Sequence, residues 1–517
     1  MRDKFVSEKR RVYNWSIDRV VVLLTIFKKK VESMSKGLFI KKSVKSLLED
    51  ATEKRQTLKR SLTALNLVAM GIGAIIGAGL FVLTGEAAAE YAGPGITISF
   101  VIAGILAMFA ALCYAEFASL IPNAGSAYSY AYVTLGEFAA WVMGSILTLE
   151  YLLAACTVAV GWSGYFSSLM GDFGITLPDH FSYAPFLYDL DTGWVLTGHI
   201  LNVPAVCVTA LMGVLVAVGI KAATTFNNVM VVIKLSVVVL FIVCGIAFMK
   251  AENLTPFIPT NTGNFGQYGL SGIFRGAGVV FFAFIGFDAL STLAQEAKNP
   301  QRDLPRGMIG SLGICTIVYI LVGLVLTGVV SYKLLGVADP IAVAVNALGP
   351  HFIWLRFFIK LAILAGLTSV ILVMILGQTR IFYAMARDGL LPKKFCETHK
   401  KTQTPLFSTL LITLVAMIIA GLFPVGILGQ LVSMGTLLVF AMVCFGVLIL
   451  RYKQPSLHRP FKVPFAPWIP LIGGLASLIQ MMFLPGVTWL QLIIWLAISC
   501  YVYFKYSIHH SLVRKKK

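Results

Sequence analysis

The sequence predicts an all-α integral membrane protein with twelve transmembrane helices. Of its 517 residues, 58% are hydrophobic and 13% are charged, which is far from the composition of a water-soluble globular protein. A helix that crosses a bilayer needs about 20 mostly apolar residues, and short polar segments separate twelve such stretches. These predicted spans, numbered 1 to 12 in chain order, are 64–90, 95–121, 137–169, 200–220, 228–249, 273–296, 307–331, 352–385, 405–423, 426–450, 467–485 and 487–506.

The basic residues predict the orientation in the membrane. With a cytoplasmic N-terminus, the inner loops carry fourteen Lys and Arg residues and the outer loops carry two, Lys250 and Lys333. Because cytoplasmic loops are rich in Lys and Arg, we expect a multi-pass protein of the cytoplasmic (inner) membrane with both termini inside. Topology then accounts for most of the net charge of +19, and nucleic acid is not an expected partner. We also expect Glu116, at the inner end of span 2, to form a charge network with the basic segment 298–306.

Spans 1 and 6 each contain a candidate helix break. Residues 71–79 include four glycines, and span 6 places Gly286 and Asp288 inside an apolar run. A shift of five spans inverts the orientation of a helix, so matching breaks at these positions predict two inverted repeats of five helices.

The repeats define the expected organisation of the chain. Residues 62–450 would form a transporter core, with one repeat at about 64–249 and the other at 273–450, and 451–507 would hold spans 11 and 12. Residues 1–61 and 508–517 would form basic cytoplasmic tails, and Met34 is a possible alternative start of translation. The eight cysteines occur singly, without a CxxC pair, so they indicate neither a metal site nor a disulfide framework.

Each break is a candidate binding site, because unwound backbone inside a membrane is tolerated only where it is buried in protein or lines a cavity. Freed N–H groups favour a carboxylate, and freed carbonyl groups favour an ammonium. A molecule with both groups on one carbon is an α-amino acid. For span 1 alone, Gly73 and Gly77 also fit a GxxxG motif that permits close helix packing.

Three segments resemble the amino acid, polyamine and organocation (APC) superfamily, and within it the bacterial relatives of the cationic amino acid transporters. They read GIGAIIGAGLF at 71–81 with Thr84-Gly85, FAFIGFD at 282–288 with AQEAKNPQRDLP at 294–305, and GQTRIFYAMARDGLLP at 377–392. The resemblance extends from about Met34 to the end of span 12. It implies a LeuT-type fold, a five-plus-five inverted repeat with broken helices 1 and 6, and secondary active amino acid transport by alternating access.

The resemblance also implies where the substrate binds. Its carboxylate is expected at the backbone N–H groups of the span 1 break, at Gly77, Ala78 and Gly79. Its ammonium is expected at backbone carbonyl groups of both breaks, those of Ile75, Phe282, Ala283 and Ile285. The Phe282 ring would in addition close over the ligand as an aromatic gate.

Lys234 is the candidate residue for proton coupling. It lies about 9 Å inside span 5 by helical rise, among apolar and small neighbours. A charged lysine near the middle of a spanning helix costs about 2.5 to 3.5 kcal/mol, and a buried lysine can exchange a proton during a transport cycle. In the proton-coupled branch that the sequence resembles, a span 5 lysine replaces the cation that bridges spans 1 and 8 in sodium-coupled relatives. The alternative is a lysine whose ammonium reaches the inner membrane surface.

Three further residues are expected near the substrate side chain. The resemblance places the carboxylates of Glu150 in span 3 and Asp288 in span 6 there, where they would suit a guanidinium or ammonium group, and it places Ile371 of span 8 in the pocket wall. Asp288 is also suited to cap the second half of span 6, and Glu150 to make a polar contact between spans. A branched residue at 371 narrows the pocket against long cationic substrates.

These observations favour one function over several others. The chain contains no GxxxxGK[ST] phosphate loop, so ATP is not an expected partner. We expect a proton-coupled symporter of neutral and/or cationic L-amino acids, whose partners are the substrate, the proton and the lipid bilayer, with no cofactor and no metal. An amino acid exchanger and a membrane amino acid sensor are the alternatives. No nucleophile and base pair occurs among the spans, so an enzyme is not expected.

Overall fold

The computed structural model describes residues 40–43, 62–122, 125–189, 193–294, 297–337, 339–349, 353–399, 402 and 404–515. Most of the predicted N-terminal tail, including Met34, lies outside these residues. So do Gln295 and Glu296 of the 294–305 motif.

Helices account for every predicted span. Within the described chain, eight helices are long and apolar enough to cross a membrane, and four shorter apolar helices have 10–17 residues. Span 1 comprises Ala64–Ile75 and, after an interruption, Gly79–Leu83, Thr84–Ala87 and Ala88–Ala92. Spans 2 to 5 are Ile96–Leu120, Glu137–Asp172, Val203–Val218 and Ile220–Ile246, and spans 7 to 12 are Pro300–Val329, Ile353–Arg387, Leu406–Leu422, Val425–Lys453, Trp468–Met482 and Gly486–Val502. Span 6 comprises Gly269–Val280, Phe281–Phe284 and Ala289–Thr292.

Two features depart from the prediction. The outer segment between spans 3 and 4 forms an antiparallel hairpin of β1 (Phe186–Asp189) and β2 (Gly193–Leu196), in which Phe186 pairs with Leu196. The protein is therefore not entirely α-helical. A buried helix, Ser126–Thr134, also connects spans 2 and 3, and it was not predicted from the sequence.

Local sequence explains where the helices begin. Asn202 caps span 4, since its side-chain oxygen accepts a hydrogen bond from the Ala205 N–H at 3.1 Å. Pro204 of span 4 and Pro300 of span 7 stand in the first turn, where a missing N–H costs nothing.

The two interrupted helices break for identifiable reasons. The first helix of span 1 ends at Ile75, because Ile76 has an extended backbone with ψ of 104°. In span 6, Ile285 is extended with ψ of 141°, and Gly286 has φ of +117°. Only glycine adopts that φ readily. A Cβ atom at position 286 would also lie 2.9 Å from the backbone of Ala74.

Two charge clusters hold the ends of the helices at the predicted inner side. Glu116 pairs with Arg451 and with Arg459, and it accepts a hydrogen bond from the Val463 N–H at 2.8 Å. The expected network between Glu116 and the segment 298–306 is therefore wrong; its partners come from the end of span 10 and the loop after it.

The second cluster surrounds Glu137, the first residue of span 3. Its buried carboxylate accepts hydrogen bonds from Tyr132 at 2.7 Å and Tyr503 at 3.1 Å, and it also bonds Ser511 and Arg514. These contacts tie the C-terminal helical segment to the start of span 3.

Candidate functional site at the two broken helices

The two breaks contact each other inside the helix bundle. A Cβ atom on Gly79 would lie 2.3 Å from the Cα atom of Ala283, and Gly286 packs against the backbone of Ala74. All of these residues are buried. The glycines therefore allow the two main chains to approach more closely than any side chain would permit.

The break in span 1 presents free backbone donors. Beyond it, the N–H groups of Leu80 and Phe81 both donate to Gly77 O at 3.1 Å. The N–H groups of Gly77, Ala78 and Gly79 form no backbone hydrogen bond within the described chain. Three adjacent buried donors are suited to a carboxylate, since a buried N–H without a partner is unfavourable.

The expected carbonyl acceptors are partly engaged by a residue that the sequence had not indicated. The Tyr319 hydroxyl of span 7 lies 2.8 Å from both Ile75 O and Ala283 O, so it connects the two breaks directly. Phe282 O accepts a hydrogen bond from the Ile285 N–H at 3.2 Å. A carbonyl oxygen has two lone pairs, so each can still accept a second donor. Tyr319 is a fully buried hydroxyl within an apolar span, and that position is the signal that could have identified it.

Lys234 lies against the end of the first half of span 1. Its ammonium donates hydrogen bonds to Gly73 O, to Ile76 O at 2.9 Å and to the Ser369 hydroxyl of span 8 at 3.3 Å. The side chain is 1% exposed. Lys234 therefore links spans 1, 5 and 8 rather than reaching the membrane surface.

Asp288 acts locally on the span 6 break. Its carboxylate accepts hydrogen bonds from the Gly286 N–H at 3.2 Å and from the Tyr151 hydroxyl of span 3. The structure thus gives Asp288 a stabilising contact with the unwound turn. Tyr151 is a second residue that the sequence had not indicated.

Glu150 differs from Asp288 in its surroundings. It is fully buried, and neither carboxylate oxygen has a hydrogen-bond partner within the described residues. The Asp288 carboxylate repels it, and the nearby Thr436 hydroxyl donates to Val432 O at 3.0 Å. A buried carboxylate without a donor is unfavourable, so this side chain is suited to an incoming cationic or hydroxyl-bearing group.

A small cavity of about 20 Å³ adjoins the breaks, with room for about one water molecule. Its lining comes from spans 1, 6 and 8: Met70, Ala74, Gly286, Ala289, Leu290, Thr292, Leu293, Val373, Leu376, Gly377 and Arg380. Ile371 and Phe282 are buried but are not part of this lining. On span 8, the cavity wall is formed by Val373 and Gly377 instead.

No group of three or more His, Cys, Asp or Glu residues that could hold a metal ion occurs in the described part of the chain. The chemical resources of the site are backbone dipoles, one buried lysine, two buried carboxylates and three hydroxyl groups, those of Tyr151, Tyr319 and Ser369.

A bundle of apolar helices in which two interrupted helices face each other around buried polar groups defines a membrane transport protein. A family model described as "Amino acid permease" matches residues 62–504. The chain therefore belongs to the amino acid permease family of the APC superfamily, and it is a transporter, not an enzyme.

Characterised relatives agree with this assignment. The chain is 43% identical over 479 residues to the methylthioribose transporter of Bacillus subtilis (strain 168), covering 93% of this chain and 100% of that protein. It is 43% identical over 480 residues to the branched-chain amino acid permease BcaP of the same organism, covering 92% and 99%. It is 38% identical over 399 residues to the vacuolar cationic amino acid transporter 4 of Arabidopsis thaliana, covering 77% and 64%.

Proposed function

We propose that this protein is a proton-coupled secondary transporter that carries neutral or cationic L-amino acids across the cytoplasmic membrane by alternating access. In this proposal it has twelve spans, two inverted repeats of five helices and both termini in the cytoplasm. The observation that carries the coupling is the contact of the Lys234 ammonium with Gly73 O and Ile76 O at the break.

The substrate backbone would bind between the two breaks. Its carboxylate would accept hydrogen bonds from the N–H groups of Gly77, Ala78 and Gly79, which are free of backbone partners. Its ammonium would share the carbonyl oxygens of Ile75 and Ala283 with the Tyr319 hydroxyl. Since the cavity has room for only about one water molecule, binding requires the two breaks to separate.

Lys234 would couple the proton to this movement. A protonated ammonium donates to the two carbonyl groups and holds the first half of span 1 against spans 5 and 8. A neutral amine donates fewer and weaker hydrogen bonds, so deprotonation would release that half-helix. Both protonation states would then be used once in each transport cycle.

The pocket for the substrate side chain would be acidic, because Glu150 and Asp288 would line it. Glu150 has no hydrogen-bond donor in the described chain and would favour a cationic side chain. The named substrates of the relatives include branched-chain amino acids, cationic amino acids and methylthioribose. A thermal-shift screen that includes all three classes would therefore rank the substrates, because a ligand that binds the native state raises the apparent stability.

Uptake into proteoliposomes with imposed pH gradients tests the coupling. We expect acid-driven accumulation in wild type and its loss in Lys234→Ala, with Lys333→Ala as a control because Lys333 is an exposed lysine outside the spans. Undiminished acid-driven accumulation in Lys234→Ala would refute the coupling role. Ligand-induced thermal stabilisation of the same variant shows whether it still folds and binds.

The same preparation separates the two alternative functions. An exchanger would show counterflow of one amino acid against another with no effect of pH on wild-type uptake. A sensor would bind amino acids in the thermal-shift assay without any uptake.

A further inference from the structure

A groove of about 620 Å³ lies at the beginning of span 7, and it shares no lining residue with the cavity beside the breaks. Its walls come from the first turns of this helix and from the loop between spans 10 and 11: Gln301, Arg302, Pro305, Arg306, Ile309, Gly310, Pro460 and Phe461. The groove is thus basic at one end and apolar at the other.

The guanidinium groups of the two groove arginines have no partner among the described residues. Arg302 and Arg306 are four residues apart on one helix, so their side chains lie on the same face. Both are exposed, and neither guanidinium group makes a hydrogen bond or an ion pair in the described part of the chain. Arg451 and Arg459, by contrast, are both paired with Glu116.

Asp303, which lies between the two arginines in sequence, makes no ion pair with them among the described residues. Asp303 is buried, and its carboxylate accepts a hydrogen bond from the Asn299 N–H at 3.2 Å, which caps the helix. Lys298 lies shortly before the groove residues of span 7, and Lys462 directly follows Phe461. Both add positive charge. Arginine binds phosphate groups through two parallel N–H···O hydrogen bonds, so the basic end of the groove is suited to a phosphate.

An exposed apolar strip continues from the groove along span 7. After Ile309 and Gly310, the helix presents Gly313, Ile314 and Ile317; Ile314 is 43% exposed and Ile317 is 63% exposed. A Cβ atom on Gly313 would meet nothing within 4 Å, so the surface is indented there. From Arg306 to Ile317 the helix rises about 16 Å. This strip is long enough to contact the part of an acyl chain that is next to the lipid headgroup.

We propose that this groove binds an anionic phospholipid of the surrounding membrane. The phosphate group would lie between Arg302 and Arg306, and one acyl chain would lie over Gly313 against Ile314 and Ile317. Unpaired arginines at the end of an apolar, lipid-exposed helix provide the charge complementarity and the apolar surface that such a lipid requires. The inference is independent of the transported substrate and of proton coupling.

Native mass spectrometry of the purified protein tests the proposal. Titration with dioleoyl phosphatidylglycerol is expected to give a bound species, whereas dioleoyl phosphatidylcholine gives less than a tenth as much at equal concentration. The double variant Arg302→Gln/Arg306→Gln is expected to bind phosphatidylglycerol about thirtyfold more weakly, which equals about 2 kcal/mol for two arginines near a membrane surface. Lys393→Gln/Lys394→Gln, which removes the same charge from an exposed segment away from the groove, should bind as wild type.

A second variant tests the acyl strip without changing the charge. Gly313→Leu has open space for its side chain and a better helix former at that position, so the protein should fold while the indentation is filled. We expect weaker retention of phosphatidylglycerol. Equal loss of binding in the Lys393→Gln/Lys394→Gln control would overturn the proposal, as would stabilisation of the protein by inorganic phosphate to the same degree as by the lipid.

Discussion

Replacement of Tyr319 by Phe tests whether the two breaks depend on one hydroxyl group. That hydroxyl is 2.8 Å from both Ile75 O and Ala283 O and is fully buried. The hydroxyl has one proton, which the two carbonyl oxygens share, and a buried acceptor that loses its donor costs about 1–3 kcal/mol, so we expect a loss of about that size. The ring itself is retained, with its contacts to Phe100 at 5.4 Å and Phe284 at 5.2 Å.

Thermal unfolding in detergent, without substrate, measures this loss. Tyr165→Phe is the matched control, because the Tyr165 hydroxyl is equally buried but serves one carbonyl, Phe81 O at 2.7 Å. We expect Tyr319→Phe to lower the midpoint at least as much as Tyr165→Phe, because it removes the one proton that two carbonyl groups share. No decrease, or a decrease clearly smaller than that of the control, would show that the breaks do not depend on this hydroxyl.

Three further predictions concern the site. Ile371→Ser should widen the accepted ligands toward arginine and lysine in competition uptake, and an unchanged ligand range would contradict the assignment of Ile371 to the pocket wall. Glu150→Gln keeps the volume but removes the charge, so uptake of cationic amino acids should fall at least tenfold while neutral ones are retained; an equal fall for both classes would indicate a structural role. Gly286→Ala would place its Cβ 2.9 Å from the Ala74 backbone at φ of +117°, so thermal stability should fall clearly, whereas Gly486→Ala, with open space around it, should be neutral.

The sequence predicted those parts of the fold that depend on local composition. Apolar length predicted where the helices lie, because a helix that crosses a bilayer requires it. The glycines of 71–79 and Gly286 located the interruptions, because close approach and positive φ are properties of glycine itself. The hairpin of β1 and β2 was not predicted, since its strands, FLYD and GWVL, are only four residues long and lie outside the predicted spans.

Contacts between spans were harder to predict, because they depend on which helix faces lie together. The sequence indicated that burial of Lys234 is energetically unfavourable. Its acceptors, Gly73 O and Ile76 O, are backbone atoms, and residue types do not reveal such contacts. Glu116 was assigned the wrong basic partners for the same reason. The place of Ile371 in the pocket wall stays a prediction; the small cavity beside the breaks is lined on span 8 by Val373, Leu376, Gly377 and Arg380.

The cluster around Glu137 has a practical consequence for handling the protein. Tyr503, Ser511 and Arg514 all reach this one carboxylate from the last fifteen described residues. A chain that ends before residue 511 would lack Arg514 and would leave the buried Glu137 carboxylate without its ion-pair partner, which is strongly destabilising. Affinity tags are therefore best attached after residue 517 through a flexible linker, and a protease that trims the C-terminus during purification should release protein that aggregates.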